Sequence, residues 1–282
     1  MKMYLKKLWK QHMLVTCNKF IINIEELGAG TPIYFLHGFA GTTQSWKTVA
    51  SIFAKKFKCY LIDLPGHGKS NSPLDINQYS MSNLTKLLKT ITDTHKIKKA
   101  IWIGYSMGGR ILLHFAKQYP NKCSGLIFEG TTSGITNLKE RNLRKLNDSK
   151  LATNIEKNGI EWFVNYWEKL PIFRTQTSIS NSQITDQRNM RLSNNVFGLA
   201  NMLRKIGTGS LYPLNDILPN ISIPSLCISG EKDFKYSAIA KNMSNNLGNG
   251  IYMKIQDAGH NTHFEKPEIF TKIVSNFINQ LN

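Results

Sequence analysis

Residues 100–103 read as a short buried strand and residues 111–118 as an amphipathic helix. Between them stands Gly104-Tyr105-Ser106-Met107-Gly108. This succession constrains the fold more than any other stretch of the chain. A serine lifted on a sharp strand-to-helix turn needs glycine on both sides, because side chains at Gly104 or Gly108 would collide with neighbouring elements. The helix that follows points its N-terminal amides at the same place. The turn therefore predicts an exposed serine nucleophile at the C-terminal end of a sheet strand. Arg110, two residues further on, adds a cation close to it.

The surroundings fit a sheet. Strand-like apolar runs occupy residues 15–24, 33–36, 59–63, 126–128, 225–229 and 251–255, with helical stretches at 45–57, 82–94, 238–247 and 269–278. Such alternation predicts a mostly parallel sheet covered by helices on both faces. Residues 131–212 break the rhythm. They hold no strand-like run, but helical stretches at 138–147, 151–157, 159–168 and 195–205. An insertion of this kind between two sheet strands reads as a helical cap over an active site. The expected organisation is a basic extension over 1–12, disordered or marginal, core from 13 to 130, cap from 131 to 212, and core again from 213 to 282.

Serine needs a base, and the base an orienting acid. In this arrangement they follow in the order serine, aspartate, histidine. Asp233 comes just after the strand at 225–229, and His260 just after the strand at 251–255. Both fall at strand C-termini, where open α/β sheets gather their chemistry. Glu231 is a rival acid and His263 a rival base. The oxyanion hole is expected from the amide after the serine, Met107, and from Phe39 in the loop after an early strand. Gly66-His67-Gly68-Lys69-Ser70 resembles the end of a phosphate-binding loop, but Asp63 stands where that motif requires glycine. It reads instead as a turn near the rim of the site.

Charge narrows the partner. The chain has 282 residues and a formal charge of +18, compatible with nucleic acid, an anionic surface or an anionic substrate. Most of the excess is scattered lysine, the usual solvated surface. The arginines are Arg110, Arg141, Arg144, Arg174, Arg188, Arg191 and Arg204, so six of the seven lie in the insertion. Guanidinium is suited to planar, bidentate carboxylate recognition. No basic-aromatic groove motif for nucleic acid is present, and no run approaches membrane-spanning length. Cys17, Cys59, Cys123 and Cys227 lack paired or metal-like spacing, which suits a reducing, cytoplasmic setting.

Taken together, His37-Gly38, residues 63–68, Gly104–Gly108, Asp233 and His260 resemble the α/β-hydrolase superfamily. Longer stretches narrow this: GYSMGGR, GIEWFVNYWEKLPIF (159–173), RLSNN (191–195), GLANMLRKIGTG (198–209), GEKDFKY (230–236) and AGHNTHFE (258–265). They resemble the 2-succinyl-6-hydroxy-2,4-cyclohexadiene-1-carboxylate synthases of the menaquinone pathway. The resemblance implies a lyase that removes a proton alpha to a succinyl ketone and expels pyruvate by 2,5-elimination, without metal or organic cofactor. Its substrate is a small polycarboxylate, and the enzyme a monomer or weak homo-oligomer. The resemblance further implies substrate binding by Tyr105, Arg110, Arg144, Trp167, Arg191 and Lys235. Arg141, one turn from Arg144, is an alternative, and Arg174, Arg188 and Arg204 are read as structural or steering. A carboxylesterase or carbon–carbon hydrolase for an anionic substrate is the rival reading, because the triad alone does not separate the two.

Overall fold

A computed structural model describes residues 9–17 and 19–281. Eight strands form one sheet: β1 (Trp9–Cys17), β2 (Phe20–Leu27), β3 (Thr31–Leu36), β4 (Phe57–Ile62), β5 (Ala100–Tyr105), β6 (Cys123–Glu129), β7 (Ser225–Gly230) and β8 (Gly250–Ile255). Their spatial order is β1-β2-β4-β3-β5-β6-β7-β8. Pairing is antiparallel for β1–β2 and β2–β4 and parallel from β4 through β3 to β8. The single strand expected over 15–24 is thus two strands of a hairpin, with Cys17 facing Phe20. The apolar run hid the reversal, since residues 18–19 carry no glycine or proline to mark it. Residues 9–12, expected in a marginal extension, are part of β1 and pair with Glu25–Leu27, which corrects that boundary. Residues 1–8 lie outside the described residues.

Strand side chains alternate between the two faces of the sheet. Tyr34 and Leu36 of β3 and Trp102 of β5 enter one core, packed under α2 (Met81–Thr94) and α3 (Met107–Gln118). Ile33, Phe35, Ile101 and Ile103 enter the other, packed against α1 (Lys47–Phe53) and α8 (Pro267–Ile278). The buried C-terminal halves of β3 and β5 are therefore held side by side, with Leu36 opposite Gly104.

Three longer helices separate β6 from β7: α4 (Leu138–Trp167), α5 (Asn181–Leu192) and α6 (Val196–Ile206). α4 is bent at Gly159, whose φ of 82° and ψ of 179° interrupt the helix. The bend separates the stretches expected before and after that residue. α5 has no counterpart among the helical stretches legible in the sequence. Its sequence, NSQITDQRNMRL, buries only Gln187 and Arg191, so it has no apolar stripe to announce it. Ser180 caps it by accepting from the Gln183 N–H. Ile155, Phe163 and Val164 of α4 pack with Leu199 and Leu203 of α6, and with Ala40 from the loop after β3. This third core seats the cap on the sheet. Gly66 and Gly198 meet backbone to backbone, a Cβ on Gly66 falling 2.7 Å from Gly198 Cα.

Candidate active site

β5 runs directly into Ser106, whose φ of 49° and ψ of −104° are sparsely populated for a residue with a side chain. Neighbours hold it there. The Ser106 N–H donates to Glu129 O at 2.8 Å, and Thr131 Oγ1–H donates to Ser106 O at 2.8 Å. A Cβ on Gly104 would stand 2.7 Å from the Gly109 backbone, and one on Gly108 would strike the Leu36 carbonyl. The glycines flanking the serine are thus required by close approach.

Asp233 is the N-cap of α7 (Phe234–Asn246), with Oδ1 accepting from the Tyr236 N–H at 3.2 Å. Its Oδ2 lies 2.6 Å from His260 Nδ1. Donating that proton leaves His260 Nε2 free to accept. The rivals are engaged elsewhere: Glu231 accepts from the Asp257 N–H, and His263 Nδ1 is 2.6 Å from Glu129. His260 is buried between the rings of Tyr105 and Tyr236, at centroid distances of 5.4 and 4.4 Å. Ser106 and His260 line one cavity. No direct hydrogen bond joins them, and bonds of this kind commonly close only around substrate.

The loop after β3 supplies the opposite wall. A Cβ on Gly38 would be 2.6 Å from the Tyr105 ring and 3.6 Å from Ser106 Cβ, so Phe39 begins beside the serine. Neither the Phe39 nor the Met107 N–H has a backbone acceptor among the described residues. His37 Nδ1 donates to Gly38 O at 2.7 Å while Nε2 accepts from the Leu64 N–H at 3.0 Å. Asp63, which displaced the phosphate-loop reading, accepts from the Thr43 N–H, the Lys69 N–H and Asn23 Nδ2. Its carboxylate is spent on fixing the turn.

Burial pushes His37 down to about 4, His67 well below its ordinary value, and His114 down to about 4. In the unfolded chain these rings titrate near ~6.5. Between that pH and about 4 the unfolded state binds more protons than the native one, so stability falls as pH drops through the window. Thermal midpoints should be level above pH ~7 and decline steadily below ~6.5. A midpoint that stays level down to pH 4.5 would contradict this.

Two cavities adjoin the serine. The inner, of ≈ 290 Å³, is lined by Ser106, Met107, His260, Tyr236, Arg110, Arg144 and Asp148. The outer, of ≈ 640 Å³, is lined by Arg191, Lys47, Gln187, Asn261 and His263 among others. Phe39, Tyr105, Trp167 and Phe173 line both. Trp167 packs edge-on to Phe39 at 5.2 Å, which makes it wall and cap core at once.

The arginines divide by partner. Arg204 forks onto Glu156, Arg188 and Arg191 share Glu168, and Arg144 Nε pairs with Asp148 at 2.8 Å. Arg141 donates to Ile135 O and lies over the Tyr212 ring, away from both cavities. Arg110 has no carboxylate partner among the described residues. Its Nη2 donates to Ile206 O at 3.3 Å, and its Nε is enclosed with nothing to bond. Burial pushes Arg110 down to about 10.

Lys235 is a correction. It is exposed on the first turn of α7 and lines neither cavity. Tyr236, its neighbour, reaches the inner cavity instead, because the residue one helical turn after the capping Asp233 shares its face. That spacing is legible in GEKDFKY. Among the described residues no group of His, Cys, Asp and Glu is arranged to hold a metal, and no helix is long and apolar enough to cross a membrane. All four cysteines are free and buried.

Residues 31–267 match the family model of the alpha/beta hydrolase fold. A 2-succinyl-6-hydroxy-2,4-cyclohexadiene-1-carboxylate synthase from Klebsiella pneumoniae is 33% identical over 83% of this chain and 88% of its own. A Bacillus subtilis protein, provisionally given the same name, is 38% identical over 93% of this chain and 96% of its own. Among solved structures, MenH from S. aureus superposes with a TM-score of 0.88 at 34% identity, over 92% of this chain and 98% of that one. A malate-bound esterase from Thermogutta terrifontis reaches 0.85 at only 22% identity, a likeness of fold alone. The chain thus belongs to the 2-succinyl-6-hydroxy-2,4-cyclohexadiene-1-carboxylate synthase family of enzymes, within the α/β-hydrolase superfamily.

Proposed function

We propose that the protein converts 2-succinyl-5-enolpyruvyl-6-hydroxy-3-cyclohexene-1-carboxylate to 2-succinyl-6-hydroxy-2,4-cyclohexadiene-1-carboxylate and pyruvate. The observation that carries this reading is Arg110, a half-buried guanidinium with an enclosed, unbonded Nε and no salt bridge among the described residues, on the wall of the cavity that contains Ser106 and His260. A buried cation left unpaired is costly. A substrate carboxylate supplies what the fold withholds. Arg144 on the same wall and Arg191 in the outer cavity give two further anion contacts, matching a substrate with three carboxylates. Tyr105 and Trp167 frame the passage between them.

In this reading Ser106 removes the proton alpha to the succinyl ketone while its own proton passes to His260 Nε2. Asp233 stabilises the imidazolium so formed. The electron pair left by the C–H bond goes to the ketone oxygen, where the Phe39 and Met107 amides stabilise the enolate. Collapse of the enolate forms the C2=C3 double bond, moves the ring double bond from C3=C4 to C4=C5 and breaks the bond from C5 to the enolpyruvyl oxygen. The departing enolpyruvate takes a proton and becomes pyruvate. No step requires a metal or organic cofactor.

The test is incubation of the purified chain with the enolpyruvyl precursor, following pyruvate by a coupled assay and the diene by its ultraviolet absorbance. Equimolar appearance of both is expected. Rapid turnover of simple aryl esters with no pyruvate release would replace this reading by the hydrolase one.

A further inference from the structure

Glu129 closes β6 beside the serine, and it is fully buried. Its two ends serve different parts of the site. The backbone carbonyl takes the Ser106 N–H. The carboxylate turns toward the loop that carries His260: Oε1 accepts from Thr262 Oγ1–H at 2.6 Å and from the His263 N–H at 2.9 Å, and Oε2 lies 2.6 Å from His263 Nδ1. The next residue lies against the base itself: a Cβ on Gly130 would stand 3.0 Å from His260 Cε1.

His263 is held from its other side as well. It stacks on Trp46 at a centroid distance of 3.9 Å and meets the Tyr105 ring edge-on at 5.1 Å. The site thus contains two histidine–carboxylate pairs of the same 2.6 Å length, three residues apart in sequence. One faces the serine, and the other ties the loop to the strand behind it. A carboxylate enclosed among protein donors is expensive to desolvate, and an apolar residue would fill the space at lower cost. Its geometry is what an apolar side chain would not reproduce: one residue linking the backbone of the serine to the segment that positions the base.

We infer that Glu129, acting through Thr262 and His263, is a positioning residue that fixes His260 relative to Ser106. The inference rests on the reading of Ser106 and His260 as the reacting pair. Misplacing a reacting group by about 1 Å is enough to cost ~10²-fold in rate.

Glu129→Gln and Thr262→Val, made in the full chain, test it. The glutamine carbonyl retains the bonds from Thr262 and the His263 N–H, while its amide opposes a protonated His263 Nδ1. Thr262→Val removes one donor without changing volume. Phenylmethanesulfonyl fluoride serves as a probe of serine–histidine alignment that needs no physiological substrate, and active-site titration counts competent molecules. Glu129→Gln is expected to slow sulfonylation and pyruvate release per titrated site by the same factor, ~10- to 100-fold. KM should be unchanged, and Thr262→Val should act more weakly in the same direction. If both variants show wild-type rate constants per titrated site, with only the titre or the melting temperature reduced, the role is structural and the inference is overturned. If the wild-type serine fails to react with the probe, the reading of the reacting pair falls, and the inference with it.

Discussion

Ser106→Ala will lower kcat for pyruvate release by ~10²- to 10⁴-fold, the usual contribution of a positioned base. The melting temperature should hardly change. Alanine keeps the Cβ that already tolerates the φ of 49°, and the bonds holding residue 106 in place are made by its backbone. The magnitude itself discriminates. Where serine is a covalent nucleophile, its removal costs roughly 10⁶-fold, because the intermediate can no longer form. On the proposed mechanism the Phe39 and Met107 amides, the arginines and His260 remain in this variant and would continue to favour the enolate. Single-turnover kinetics of the wild type should accordingly show no acyl-enzyme. Trapping a substrate-derived ester on Ser106 would refute the base role even if pyruvate were released.

Arg110→Met is expected to produce opposite effects on activity and stability. Removing a guanidinium that desolvates itself for a substrate carboxylate should cost roughly 2–5 kcal/mol in substrate and transition-state binding. That is a fall in kcat/KM of ~30- to 4,000-fold, carried mainly by KM. The same substitution should raise the melting temperature, because an enclosed donor without a partner costs about 1–3 kcal/mol and the side chain that owns it is gone. Arg144→Met supplies the contrast. Arg144 already has Asp148, whose side chain is only 6% exposed, so removing the cation strands a buried carboxylate and should lower the melting temperature. Calorimetry on the two variants separates them. Destabilisation by Arg110→Met would mean that its charge is satisfied within the protein.

The elements that sequence revealed most readily are those whose chemistry is local. The serine turn needs glycine for contacts within a few residues, and Asp233 and His260 follow strands that are plainly apolar. The β1–β2 hairpin was hidden because its reversal carries neither glycine nor proline and interrupts the apolar run for only two residues. α5 was hidden because a polar helix lying on other elements carries no periodic signal, though it delivers Arg191 to the outer cavity. Partnership was harder still. The serine turn singles out Arg110 by position, but nothing along the chain shows that it is left without a carboxylate while Arg204 forks onto Glu156. That difference arises between residues far apart in sequence. His263 shows the same limit: its nearness to His260 suggested a rival base, and only the packing of β6 against the 258–263 loop reveals Glu129 as its partner.

The four rings shared by the two cavities, Phe39, Tyr105, Trp167 and Phe173, have a thermodynamic consequence. With Arg110 and Arg144 on one side of them and Arg191 on the other, a molecule anionic at both ends is a bivalent ligand. Once one end is seated, the other meets its arginine at an effective concentration fixed by the length and stiffness of the molecule, in the millimolar range for short flexible linkages. A short dicarboxylate confined to one chamber gains nothing from the second. Affinity in such a site follows the reach of the ligand more closely than its total charge, and a rigid spacer that passes the rings should outperform a flexible one of equal length.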